Sequence, residues 1–234
     1  MVVSVRPLRR GDVAASSRLH RDVLDMEFLA RCGDGFLRCY HRAWIDSDDG
    51  MALAAVNDGG EVVGVLLGAL RPDRHFRSIV RHYGAALAFW LMVRALSSPR
   101  FAKELFATRV LRYVRGLIRM LHASRAGHVR PNQSSALTRA DATDTTSPSD
   151  PRPTIGEVTH VMVRMDGQGS GIGRALLEEA RNTGQHAGLD ELVLVTPPDL
   201  AAGTFYEHLG WERVGDLKSR SGEEFVRYHL LLHP

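Results

Sequence analysis

The eleven residues Val163-Arg-Met-Asp-Gly-Gln-Gly-Ser-Gly-Ile-Gly173 hold four glycines. They lie between an apolar segment with strand character and a segment with helical periodicity. A strand that runs through such a turn into a helix aims several backbone N–H groups, and the positive end of the helix dipole, at one spot. That spot suits a phosphate or pyrophosphate, and glycine lets the backbone approach the anion closely. A tight turn by itself accounts for one glycine, not for Gly169, Gly171 and Gly173 together. The dinucleotide fingerprint fails, because its third glycine falls on Ile172, Arg174 or Leu176 in the three available frames. A Walker loop fails too, since no lysine lies in the region. What fits is Gln-x-x-Gly-x-Gly, carried by Gln168, Gly171 and Gly173 after Val163.

The chain around this turn alternates between the two periodicities. Residues 155–165 read as a strand, 171–187 as a helix and 192–196 as an apolar strand stopped by Pro197 and Pro198. Asp199 can cap a helix reaching about residue 209, where Gly210 occupies the position after the end that favours glycine. Strands follow at 211–217 and 225–232. The first 70 residues read β-α-α-β-β. A strand at 2–6 precedes a helix with Asp12 as its cap. A second helix follows Gly33-Asp34-Gly35, and two strands flank the Asn57-Asp58-Gly59-Gly60 turn. The expected fold is therefore α/β (α+β), with residues 1–70 and 155–234 as two halves of one domain.

Between the halves the character changes. Residues 71–130 carry thirteen Arg and Lys against Asp73 and Glu104, a balance of +11 in a chain whose total is +3. Two helices fit, at about 79–96 and 100–122. Their apolar residues, among them Phe89, Trp90, Leu91 and Leu111, call for burial within the chain or in a homodimer face; the flanking arginines also suit an anionic membrane surface. Residues 131–154 are rich in Ser, Thr, Asp and Pro with almost no large apolar side chain, the composition of a disordered linker.

These motifs resemble the GNAT superfamily of acyl-CoA N-acetyltransferases, whose phosphate turn is Gln/Arg-x-x-Gly-x-Gly/Ala between the fourth strand and the following helix. The likeness continues downstream. The superfamily's Asn-x-x-Ala-x-x-Phe/Leu-Tyr-Glu-x-x-Gly-Phe is matched by Asp199, Ala202, Phe205, Tyr206, Glu207, Gly210 and Trp211. The resemblance covers 155–232 well and 3–70 in outline. It implies a mixed, mostly antiparallel central sheet flanked by helices, with 71–153 inserted between the third and fourth strands. Asp199 stands where the superfamily has Asn.

The resemblance also implies roles. Acetyl-CoA is the cosubstrate. Its pyrophosphate belongs on Gln168, Gly169, Ser170, Gly171, Ile172, Gly173 and Arg174, its pantetheine arm along the backbone of Val161, Met162 and Val163, and Asp199 lies on the cofactor side. Tyr206 matches the tyrosine that protonates the departing thiolate. Glu157 matches the base of the histone-type branch; a solvated glutamate at a strand start is the other reading, and His160 is a second candidate base. The branch acting on ribosomal-protein N-termini carries a glutamate where this chain has Leu194, which argues against that substrate class. The leading expectation is an N-acetyltransferase acting on a primary amine of a small molecule by direct attack in a ternary complex. Protein lysine or N-terminal acetylation, and a non-catalytic CoA-binding sensor, are the alternatives.

Direct transfer needs no metal, and His41, His75, His82, His122 and His128 show no ligand spacing, so no metal is expected. Arginine is spread along the whole chain rather than gathered in a patch, so no nucleic-acid partner is expected. Cys32 and Cys39, read as lying in one helical stretch, make no disulfide framework. The longest apolar run, residues 85–93, is far short of the ~20 residues a spanning helix needs. A cytoplasmic location is the resulting expectation.

Overall fold

The computed structural model describes residues 3–25, 27–105, 153–198, 202–218 and 224–232. The expected helix 100–122 beyond residue 105, the linker 131–154 up to residue 152, Leu111 and Asp199 lie outside the described residues. The chain divides into two compact units, 1–93 with 153–234, and 94–152.

The first unit is built on a seven-stranded sheet. Its strands are β1 (Val3–Pro7), β2 (Gly50–Asn57), β3 (Val62–Ala69), β4 (Ile155–Val163), β5 (Glu191–Thr196), β6 (Glu212–Lys218) and β7 (Glu224–Leu231), in the spatial order β1-β2-β3-β4-β5-β7-β6. Every neighbouring pair is antiparallel except β4 with β5. The helices are α1 (Val13–Val23), α2 (Phe28–Arg31), α3 (Asp34–Ile45), α4 (Pro72–Ser97), α5 (Pro99–Glu104), α6 (Ile172–His186) and α7 (Ala202–Glu207). This is the mixed α/β fold that the sequence pattern implies, with α4 between β3 and β4.

Period-two alternation gives the sheet two apolar faces. On one, Val65, Leu67, Ala69 and Met162 pack with Leu19 of α1 and Trp44 of α3. On the other, Leu53, Leu66 and Val158 pack with Ile172, Leu176, Leu177 and Ala180 of α6. Gly64 admits the start of α6: a Cβ there would lie 2.7 Å from Ile172 Cγ2 and 3.1 Å from Leu176 Cδ1.

Some local expectations are corrected. Asp12 does not cap α1 with its side chain; its carboxylate accepts from both Arg6 guanidinium nitrogens at 2.7 and 3.1 Å and from the Arg9 N–H at 2.8 Å. An ion pair with a bidentate arginine outcompetes a single N–H bond. Cys32 ends α2 and Cys39 lies in α3, so the two free thiols are not in one helix. Helix α4 starts at Pro72, seven residues before the apolar pattern suggests, because proline is suited to a first helical turn. His75 anchors that turn. Its Nδ1 lies 2.8 Å from Ser47 Oγ, and its ring packs on Trp44, tilted by 37°, with centroids 4.0 Å apart. Gly35 of α3 faces the Trp90 ring, and among the described residues of one chain Trp90 is 38% exposed and Phe89 53% exposed.

Candidate active site

The sheet opens between β4 and β5. These strands pair only from Ile155 to Val158, opposite Glu191 to Leu194. Beyond that point Val195 and Thr196 of β5 pair with β7 alone. The register of β4 against β3 jumps from Val158↔Gly68 to His160↔Leu67, which makes Thr159 a bulge. A bulge bends its strand and sharpens the local twist. The backbone of 159–163 therefore has β3 on one side and no strand on the other. Main-chain groups of Val161, Met162 and Val163 on that open edge can pair with an extended, amide-bearing ligand arm. Met162 contributes backbone only, because its side chain is fully buried against the α1–α3 face.

At the mouth of this wedge the chain makes a 3-10 turn, Met165–Gly167, and then enters α6. Gly169 and Gly171 have φ of 77° and 87°, and a Cβ at either would meet nothing within 4 Å. The turn is left-handed and open to solvent. The Gln168 and Ser170 N–H groups donate inward, to Met165 and Gly167 carbonyls. The Gln168 side-chain amide donates to the Val163 carbonyl at 3.3 Å, so it braces the turn against the end of β4. The first turn of a helix leaves its N–H groups without intrahelical partners, and here these follow two left-handed glycines. Ile172 is buried to 1% and offers only its N–H, whereas Arg174 is exposed beside the turn. Gly173 lets Phe205 of α7 lie against the start of α6, with a Cβ position 3.3 Å from the ring.

Phe205 brings its neighbour Tyr206. The Tyr206 ring packs among Trp211, Tyr228 and Phe205 at centroid distances of 6.2, 5.8 and 5.5 Å. Burial, with Tyr228 adding to it, pushes the phenol up to about 12, so it stays protonated at neutral pH and has a proton to donate. Glu157 sits on β4 where β4 and β5 are still paired, opposite Val193. Gly156 and Val158 face the α6 side, so Glu157 faces the α1–α3 side. Burial raises the Glu157 carboxyl above its ordinary range, partly offset by the Arg227 charge.

Because Thr159 is a bulge, His160 shares the face of Glu157, although the two are three residues apart. It joins a buried aromatic cluster. His160 Nε2 lies 3.1 Å from Tyr40 Oη, and His20 Nδ1 lies 3.1 Å from His41 Nε2. Glu27, before α2, places one carboxylate oxygen 3.7 Å from both His20 Nε2 and His160 Nδ1. Burial depresses His160 to about 4, with Glu27 opposing and His20 assisting, and it depresses His41 to about 3. As a base, His160 is thereby weakened. Glu27 and His20 carry no sequence signal, because they come from separate elements and neither has a ligand-spaced neighbour in its own.

Residues 135–213 match the family model for the acetyltransferase (GNAT) domain. Over this stretch, about a third of its length, the chain is similar to a GNAT acetyltransferase domain. The match spans Glu157, the glycine turn and Tyr206. Solved structures with the same fold include a spermidine N-acetyltransferase chimera from Vibrio cholerae (TM-score 0.56, 12% identity, 98% of this chain and 95% of that one). A polyamine N-acetyltransferase from Drosophila melanogaster is similar (0.53, 11%, 98% and 100%), as is the ribosomal-protein-S18-alanine N-acetyltransferase from Escherichia coli (0.54, 11%, 100% and 96%). No curated protein matches the chain in sequence. Within the matched stretch, Val161 to Arg174 form one continuous strand-to-helix segment, and Gly173 leaves room for the Phe205 ring beside Tyr206.

Proposed function

We propose that this GNAT domain moves the acetyl group of acetyl-CoA to a primary amine of a small molecule by direct attack. The observation that carries the reading is the wedge between β4 and β5, with a turn of left-handed glycines and free helix N–H groups at its mouth. An extended thioester with a pyrophosphate fits that arrangement: phosphates on the Gln168–Arg174 turn, pantetheine along 161–163, and the thioester toward the base of the wedge. The spermidine and polyamine acetyltransferases of the same fold act, by their names, on small amines.

The chemistry follows from the two flanking groups. An amine is mostly protonated at neutral pH and must lose a proton before it attacks. Glu157, with its carboxyl raised by burial, is a better base than an ordinary carboxylate. The nitrogen attacks the thioester carbon, the C–N bond forms, the C–S bond breaks with its electron pair leaving on sulfur, and the extra proton on the new amide nitrogen passes to solvent. Tyr206, held protonated by its packing, donates to that thiolate. The turn neutralises the phosphates and the wedge fixes the reacting carbon, which is the orientational part of the catalysis.

The test is thiol release from acetyl-CoA across a panel of polyamines, amino sugars and small metabolite amines, with a lysine peptide and an N-terminal peptide alongside. Turnover on a small amine supports the proposal. Turnover on peptides alone, or CoA binding without turnover on any amine, overturns it.

A further inference from the structure

The His20, Glu27 and His160 side chains form a group outside the wedge that the transfer chemistry does not use. Each offers one ligand atom, and the three atoms lie within 4.8 Å of one another. Two of the three edges, His20 Nε2 to Glu27 Oε2 and His160 Nδ1 to Glu27 Oε2, are 3.7 Å. A point equidistant from three atoms so spaced is about 2.1–2.4 Å from each, the range of zinc–nitrogen and zinc–oxygen bonds after small adjustment.

The surroundings are those of ligands rather than of a hydrogen-bonded triad. At 3.7 Å neither imidazole is in hydrogen-bond contact with the carboxylate. His20 is fully buried, and its Nε2, aimed at Glu27, has no hydrogen-bond partner. A buried polar atom left in that state is unusual, and a missing ion is one of the few explanations. The second nitrogen of each ring is held: His20 Nδ1 by His41 Nε2 and His160 Nε2 by Tyr40 Oη, each at 3.1 Å. A ligating histidine nearly always has its other nitrogen fixed in this way, because that bond selects the tautomer and aims the lone pair. With His20 Nδ1–H donating to His41 and His160 Nε2–H donating to Tyr40, both remaining lone pairs point to the side where Glu27 stands.

We infer that His20, Glu27 and His160 bind a divalent transition-metal ion of the zinc class, with His41 and Tyr40 holding the two imidazoles in register. Two imidazoles and a carboxylate suit zinc and its neighbours, and leave a fourth position open. Glu27 is 40% exposed and is the route by which an ion enters. The ion would tie the segment between α1 and α2 to β4. Glu157 is three residues from His160, roughly 10 Å along a strand, so the metal would act by ordering the α1–α2 segment and not by activating the thioester.

The experiment uses untagged full-length protein, stripped with a chelator and dialysed. Zinc is titrated against a chromophoric competitor, and cobalt is followed through its visible d–d absorption. One equivalent bound, with the absorption of a low-coordinate cobalt site, is expected. Glu27→Gln is nearly isosteric and partly exposed, so it should leave the circular dichroism unchanged and weaken zinc at least ~100-fold; Tyr40→Phe should weaken it ~10–100-fold. His186→Asn, an exposed histidine elsewhere, should bind like the parent. Absence of stoichiometric binding to folded protein overturns the inference, as does zinc affinity unchanged in both Glu27→Gln and Tyr40→Phe.

Discussion

Gly171 is the residue at which the phosphate-site assignment can be tested with least interference from folding. It has φ 87° and ψ 1°, and a Cβ there meets no heavy atom within 4 Å. Asn and Asp are the side chains that best tolerate this left-handed backbone. Both Gly171→Asn and Gly171→Asp should therefore fold, each losing on the order of 1 kcal/mol of stability for the backbone conformation. The two differ only in charge. A carboxylate about 5 Å from a phosphate charge repels it by roughly 1 kcal/mol in a water-like medium and by roughly 3 kcal/mol at a partly screened protein surface. The turn is exposed, and a pyrophosphate presents two such charges. A penalty of about 2–3 kcal/mol results, or ~30–150-fold in acetyl-CoA affinity, for Asp relative to Asn. Calorimetric titration of acetyl-CoA into both variants measures it, with thermal melts as the control for folding. The gap should narrow as salt rises, since exposed charges are screened. Equal CoA affinity of the Asp and Asn variants would refute the placement of the pyrophosphate on this turn.

Tyr206→Phe should lower turnover by a factor on the order of 10²–10⁴ with CoA affinity within about twofold of the parent, and turnover within twofold would reduce Tyr206 to packing. For Glu157, the base is active when deprotonated, so kcat/KM should climb with pH through a carboxyl lying above the ordinary range. Glu157→Gln should lower kcat and remove that limb of the profile; an unaltered profile would return Glu157 to the role of a solvated strand residue. His75 sits at about 4 in the folded chain because burial disfavours its charged form, with Asp49 opposing. Its folded value is below the unfolded 6.5, so the unfolded chain binds the extra proton and stability falls as pH drops from about 6.5 towards 4. His75→Phe keeps the ring against Trp44 and should lose about 2 kcal/mol less than the parent over that interval, measured by denaturant melts; parallel pH curves would count against it.

The legible parts of the sequence were those carried by local pattern. The strand, glycine turn and helix around Gln168 announce themselves because left-handed backbone demands glycine at Gly169 and Gly171. Asn57 to Gly60 mark the β2–β3 hairpin in the same way. The helix α2 was not legible, since four residues hold no period. Asp12 was misread because its partner, Arg6, lies on the preceding strand, where no capping rule looks. The histidine cluster was illegible for a related reason: His20, Glu27 and His160 come from three elements, and it takes the bulge at Thr159 to turn His160 toward the other two. Local spacing reports on ligands within one element, whereas this group is assembled by the sheet.

The pairing of β3 with β4 also bears on how the chain reaches its native state. Ala69 and Glu157 lie opposite each other in adjacent antiparallel strands, a relationship that a tight hairpin could provide. Here an excursion of about 85 residues separates them. Closing a loop of that length in place of a four-residue turn adds roughly 2–3 kcal/mol of chain entropy. On that entropy alone the central seam of the sheet is expected to pair after the local β2–β3 hairpin. A circular or shortened chain, with β3 joined to β4 by a short turn, should refold faster than the parent while leaving the β4–β5 wedge unchanged. Evolution could lengthen or exchange the connector at this seam without touching the strands that form the β4–β5 wedge.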